Sequence, residues 1–241
     1  MGADDKLQDP QVELTIDRRP ALVATAVAIV WELGVAVYGF SRVPPGAQVA
    51  VHWDLAGHPN GYGPAWSGFL LAPVLTAVIS AVLAVLPSIE PRRHNLARSG
   101  AAYIAVWLSV LALLVAVQAG VVLSAFGVLQ PEAVARVAPA AVGVMLAVVG
   151  NYLGKVRSNF FFGIRTPWTL SSERSWNRTH RLGGRLFVAV GLAAAVTSVF
   201  VPGAGFFVIA AGVPAIIVIV FVYSYMQWSR DPDKLPRGRV S

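Results

Sequence analysis

Three groups of residues in this 241-residue chain could do chemistry. The first is Glu32, the one charged residue inside the apolar run 20–41. An acid at that depth costs roughly 2.5–3.5 kcal/mol to insert even on lenient scales, which makes it a functional hypothesis by default. It either lines a proton or substrate pathway or is a structural acid bonded to polar side chains such as Gln118. The second group is His52, Asp54 and His58, spaced H-x-D-x3-H. In an extended stretch His52 and Asp54 share a side, and a turn at Gly57 would bring His58 round to complete a three-ligand, zinc-like set. The competing reading makes His52 and Trp53 interfacial anchors and Asp54 a turn cap. The third group lies in NFFFGIRTPWTLSSERSWNRTHRLGGR, 159–185, where Arg165, Arg174, Arg178, Arg181 and Arg185 gather with Trp168, Trp176 and His180.

Catalysis is the weakest of the chemistries these groups suggest. A hydrolase would need a general base and an oxyanion donor beside its metal ligands, and neither is evident around 52–58. The absence of cysteine excludes disulfides and thiolate metal sites. No enzyme activity and no cofactor are expected. A transporter or channel using Glu32 is the main alternative to a binding role, and a metal-dependent membrane enzyme using His52, Asp54 and His58 is a lesser one. The transporter reading lacks paired Gly/Pro-broken helices at matching positions in two halves.

The elements that must position these residues are membrane spans. Hydrophobic residues make up 56% of the chain and charged ones only 13%, and the charges sit between long uncharged runs. Roughly 20 apolar residues cross a bilayer core, so the runs 20–41, 65–89, 99–131 and 137–154 each suffice, and 186–229 suffices twice. Its break is the turn signal Val201-Pro202-Gly203-Ala204-Gly205. The expected fold is all-α, a polytopic membrane protein with six helices near 20–41, 65–87, 101–127, 137–154, 184–201 and 206–228. With the N-terminus in the cytoplasm, every Lys and Arg of the 19 except Arg42 and Arg136 falls inside, so both termini are expected to be cytoplasmic. The net charge of +7 then reads as topology plus affinity for anionic lipid headgroups, with no direct nucleic-acid binding.

This divides the chain into a cytoplasmic tail (1–19) and an N-terminal three-helix region (20–127) with an outer loop (42–64). A C-terminal three-helix region (137–228) follows, containing the cytoplasmic segment 155–185, and then a second tail (229–241). Within the segment, Ser171 can cap a helix with Glu173 in its first turn. Arg174, Arg178, Arg181 and Arg185 then share one face, while Trp176, His180, Gly183 and Phe187 lie on the opposite one, as in a helix at the membrane surface. Gly183-Gly184 predicts a bend into the fifth span. Before this helix, Gly163 permits positive φ and Pro167 pushes Thr166 toward extended backbone. Arg165 should be held by carbonyls or phosphate. The segment reads either as a basic clamp on the membrane surface or as a docking surface for a cytoplasmic partner.

GNYLGKVRSNFFFGIRTPWTLSSERSWNRTHRLGG (150–184) resembles the signature of the SdpI family of bacterial multi-pass membrane proteins. The resemblance is carried by Gly163-Ile-Arg-Thr-Pro-Trp-Thr-Leu170, Trp176 and Thr179-His180-Arg-Leu-Gly-Gly184. The outer loop, VHWDLAGHPNGYG (51–63), is similar to a domain of unknown function that often forms the N-terminal half of these proteins. That domain commonly has proline where this chain has Ala50, and an acid where it has Asn60. The resemblance implies immunity: protection from a secreted, membrane-active toxin peptide met at the outer face, together with capture of a transcriptional repressor at the cytoplasmic face. The residues it points to as partner-binding are Asn159, Gly163, Arg165, Thr166, Pro167, Trp168, Trp176, Thr179 and His180.

Overall fold

The computed structural model describes residues 15–234. The expected tail residues Asp4, Asp5, Lys6, Asp9, Glu13, Arg237 and Arg239 lie outside that range. The described chain runs α1 (Arg19–Arg42), β1 (Gln48–Trp53), β2 (Pro59–Pro64), α2 (Ala65–Ile89), α3 (Arg93–Ala97) and α4 (Gly100–Ala125). It continues with α5 (Pro131–Leu153), α6 (Pro167–Leu170), α7 (Glu173–Phe200) and α8 (Ala204–Ser229). Six of the helices, of 23 to 28 residues, are long and apolar enough to cross a bilayer. Their burial pattern is inverted relative to a water-soluble bundle. Val23, Val27, Val30, Val74, Val78, Phe200 and Phe207 point outward, while Glu32, Thr76, Ser80, Gln118 and Ser198 are buried between helices. In hydrocarbon, polar groups can only be satisfied by other helices, which puts them inside.

α1, α2 and α4 pack together, α5, α7 and α8 pack together, and α4 against α5 joins the two groups. α5 and α7 make the most extensive contact. Glycines explain it: a Cβ at Gly143 would lie 2.6 Å from the Gly191 carbonyl oxygen, and one at Gly150 2.6 Å from that of Gly184. The backbones approach so closely because no side chain separates them. This also corrects the expected bend at Gly183-Gly184. α7 is one continuous helix from Glu173 to Phe200, and these glycines serve close packing rather than a break. The surface helix and the fifth span are therefore the same element. α5 likewise begins earlier than expected, at Pro131, where proline at the first helical turn and Glu132 make a good start.

Four prolines lie inside the described spans, Pro73, Pro87, Pro139 and Pro214, each leaving a carbonyl four residues back without its usual donor, and for the first three another part of the chain supplies one. Opposite Pro73, the Phe69 carbonyl accepts from Gln118 Nε2 at 2.9 Å. Opposite Pro87, the Leu83 carbonyl accepts from the Tyr103 hydroxyl at 2.5 Å. Opposite Pro139, the Ala135 carbonyl accepts from the Gly203 N–H at 3.0 Å. These three interruptions of the helical bonding are thus tied into tertiary contacts.

Between α1 and α2 the expected outer loop is an antiparallel β-hairpin, β1 with β2, the one departure from all-α architecture among the described residues. Its tip rests on the ends of α5 and the α7–α8 turn. Gly57, at φ +86, lies where a Cβ would strike Pro131, and a Cβ at Gly203 would strike the Leu55 carbonyl. Helix alternation places this hairpin at one end of the bundle and residues 154–172 at the other.

Candidate functional site

The signature end is built by a non-helical link between α5 and α7. Asn159 organises it from a fully buried position. Its Oδ1 accepts the N–H groups of Phe161 (3.0 Å) and Phe162 (2.7 Å), and its Nδ2 donates to the carbonyls of Arg157 and Phe162. Gly163 follows at φ +116, and there the chain crosses the His180 ring so closely that a Cβ would clash with it. His180 Nε2 accepts the Ile164 N–H at 2.9 Å, while Nδ1 lies 2.8 Å from the Trp176 carbonyl. The first bond requires a lone pair on Nε2 and the second a proton on Nδ1, which fixes the neutral Nδ1–H tautomer. The ring stacks on Trp176 at 4.0 Å, and Trp176 Nε1 donates to the Val156 carbonyl at 2.8 Å.

Thr166 then caps α6 in a reciprocal box with Thr169, and Pro167 takes the first helical position, where a missing N–H costs nothing. Thr166 Oγ1 donates to Ser224 Oγ on α8 at 3.1 Å, and Thr169 Oγ1 to the Ile164 carbonyl at 2.9 Å. The cap of α7 is Ser172, not the expected Ser171: its hydroxyl accepts the Ser175 N–H at 2.9 Å, while Ser171 donates to the Pro167 carbonyl.

The nine residues singled out at this end therefore separate by exposure. Asn159, Thr166, Trp176 and His180 are buried and hold the link in shape, with Gly163 threading between them, while Thr179 is buried with its Oγ1 unpartnered. Arg165 and Pro167 are exposed, and Trp168 is half-buried, edge-on to Phe221 (4.7 Å) and Tyr225 (5.3 Å) of α8. Arg165 Nη1 donates to the Phe160 carbonyl at 2.6 Å, the carbonyl support expected for it. The arginine stripe of α7 divides too: Arg178, Arg181 and Arg185 are exposed, Arg178 donating to Gln227 on α8, whereas Arg174 is half-buried. A polar pocket of about 530 Å³ lies beside the link, lined by Arg92, Asn95, Ser158, Arg174, Asp231 and Asp233 among others.

Glu32 lies elsewhere, fully buried among α1, α2 and α4. Its Oε1 accepts from Thr76 Oγ1 at 2.9 Å, and Gln118 donates to its backbone carbonyl rather than to its carboxyl group. At the hairpin, Asp54 Oδ1 accepts the N–H groups of Ala56 and His58, each at 2.9 Å, so it caps the turn. His52 Nδ1 pairs with Asn60 Oδ1 at 2.5 Å, and His58 Nδ1 is 3.8 Å from Asp54 Oδ2. The trio does not converge: among the described residues no three His, Cys, Asp or Glu side chains form a metal-holding group.

One set of residues at the signature end carries no motif in the sequence. Glu90, Arg92, Asn95 and Ser99, from the turn and short helix after α2, all bond to residues 157–161. The only sequence-level hint is a buried-group chemistry (Glu, Asn, Ser) in a stretch that otherwise reads as a solvated basic loop.

Comparison with known proteins matches two regions. Residues 155–224 match the SdpI/YfhL protein family, and residues 25–77 match DUF1648, a domain of unknown function. "Immunity protein SdpI" of Bacillus subtilis (strain 168) is 37% identical over 59 residues, a stretch amounting to 24% of this chain and 28% of that protein. No solved structure matches. With six spanning helices and these two regions, the chain is a multi-pass membrane protein carrying an SdpI/YfhL family domain behind a DUF1648 domain.

Proposed function

We propose that this chain is a non-enzymatic immunity protein that protects a cell from a membrane-active toxin peptide at its outer face and captures a transcriptional repressor at its cytoplasmic face. The observation that carries the reading is that the SdpI/YfhL match begins at Lys155 and takes in the link, whose tip, the exposed Arg165 and Pro167 with the half-buried Trp168, stands on a buried clamp. A tip held this firmly suits a docking surface, because little conformational entropy is lost when a partner binds. Arg181 and Arg185 would meet anionic headgroups beside it.

The lysines and arginines assign the sides. The signature end holds Arg92, Arg93, Arg98, Lys155 and Arg157 as well as the α7 stripe, so it faces the cytoplasm, and the hairpin faces outward. A toxin arriving from outside meets the hairpin and the helix ends beneath it. α7 runs from Glu173 at the link to Phe200, just before the turn whose Gly203 lies against Leu55 of the hairpin, and is the natural connection between the faces. Glu32, bonded to Thr76 inside the first group of helices, is assigned a structural role.

The test is a challenge assay. A toxin-sensitive strain is exposed to the secreted peptide with and without this chain, alongside a reporter driven by the chain's own promoter. Protection and toxin-dependent reporter induction are both expected. Arg165→Ala and Trp168→Ala should reduce induction and spare protection. Absence of protection at normal protein level, or equal loss of both outputs in these variants, would contradict the reading.

A further inference from the structure

We propose that Glu90 is the positioning residue of the signature link, fixing its docking tip from a part of the chain that neither family match covers. The proposal rests on the function proposed above, since the tip it positions is the docking surface named there.

Glu90 follows α2 directly and is 1% exposed. A buried carboxylate needs hydrogen-bond donors around both oxygens. Here the donors are backbone amides. Oε1 accepts from the N–H of Arg92 at 3.0 Å and of Phe160 at 3.0 Å. Oε2 accepts from Phe160 at 3.1 Å and Phe161 at 3.2 Å. The amides of Phe160 and Phe161 therefore form a small anion-binding concavity, and the chain fills it with its own acid.

The surrounding contacts make this a joint rather than a single bond. Arg92 donates to Ser158 Oγ, and its guanidinium lies 5.0 Å over the Phe160 ring. Asn95 Nδ2 donates to the Ser158 carbonyl at 2.9 Å, and Ser99 Oγ accepts the Arg157 N–H at 2.9 Å. Every residue from Arg157 to Phe161 is thus bonded to the 90–99 stretch, except that Asn159 organises the link internally. Phe160 carries the consequence to the tip, because its carbonyl holds Arg165. The order is therefore α2, Glu90, Phe160, Arg165. A movement of α2, whose other end is continuous with the hairpin, would reach the docking tip through this carboxylate.

Glu90→Gln tests this. The amide keeps the size of the side chain but replaces one acceptor oxygen with a donor, which faces N–H groups and cannot serve them. In the full chain in nanodiscs, hydrogen exchange of the Phe160 amide should speed up by about tenfold or more, as loss of a charge-assisted bond implies, and that of Phe161, which Asn159 Oδ1 still accepts, by less. Exchange in α4 and α8 should stay at the wild-type rate, showing that the fold is intact. In cells, reporter induction should fall while protection persists. Wild-type exchange at Phe160 and Phe161, or faster exchange with undiminished induction, would overturn the proposal. If the wild-type chain itself gives no induction, the docking function fails, and the exchange comparison alone then decides whether Glu90 positions the link.

Discussion

Replacing Gly143 with alanine should force α5 away from α7. The added Cβ would lie 2.6 Å from the Gly191 carbonyl oxygen and 2.9 Å from the Ala195 nitrogen. Carbon contacts settle near 3.5 Å, so the helices must part by ~0.9 Å at that crossing. Neither neighbour is a flexible side-chain end; both are helix backbone, which cannot step aside without breaking its own hydrogen bonds. Overpacking of this kind costs about 1–3 kcal/mol. At Gly34 and Gly120 a Cβ meets nothing within 4 Å, and there alanine should instead stabilise its helix by up to about 1 kcal/mol. Gly143→Ala and Gly120→Ala should therefore differ by about 2–4 kcal/mol, combining both effects. Unfolding of the purified protein in mixed micelles by a denaturing detergent, followed by tryptophan fluorescence, reads this directly. Adding Gly191→Ala to Gly143→Ala should cost less than the sum of the two, because one separation relieves both wedges. A Gly143→Ala protein as stable as Gly120→Ala would refute close backbone packing as the basis of this interface.

Other consequences follow from the same contacts. Gln118→Leu strands the Phe69 carbonyl opposite Pro73 and should destabilise the protein by about 1–3 kcal/mol in the same titration. Adding Pro73→Ala restores a backbone donor and should recover most of the loss; no recovery would show that the carbonyl is not the cause. His180→Phe keeps a ring on Trp176 but removes the acceptor for the Ile164 N–H, so trypsin should cut after Arg165 faster than in the wild type. Unchanged cleavage would argue against His180 as the clamp. Because His52 is occupied by Asn60, metal analysis of the unchelated protein should find no zinc, and stoichiometric zinc lost in His52→Ala would contradict the hairpin geometry.

The spans were legible because hydrocarbon imposes a length and forbids charge, and both properties are visible in uncharged runs such as 65–89. Local shape was legible where it depends on local chemistry, as at Gly163 and Pro167 in the link and at the Asp54 turn of the hairpin. It was not legible where the deciding neighbour is distant. Gly183-Gly184 reads as a weak point in an isolated helix, and only the approach of Gly150 shows that the missing side chains serve packing. The hairpin hides in a stretch rich in Gly and Pro, where strand pairing leaves little alternation of apolar and polar residues. Trp176 and His180 have the types of a binding surface, yet their polar atoms are taken by Val156, Ile164 and each other's turn. Glu90 passes for a solvated loop acid because the amides it serves lie 70 and 71 residues along the chain.

A cytoplasmic docking tip depends most on which side of the membrane the link faces, and the chain's lack of cysteine gives a clean background for asking. Single cysteines at Arg157 and Ala56, both exposed, can be challenged in intact cells with a membrane-impermeant maleimide. The Ala56→Cys protein should be labelled at once, and the Arg157→Cys protein only after the membrane is opened. Labelling of Arg157→Cys in intact cells would place the link outside and remove the basis for a cytoplasmic partner.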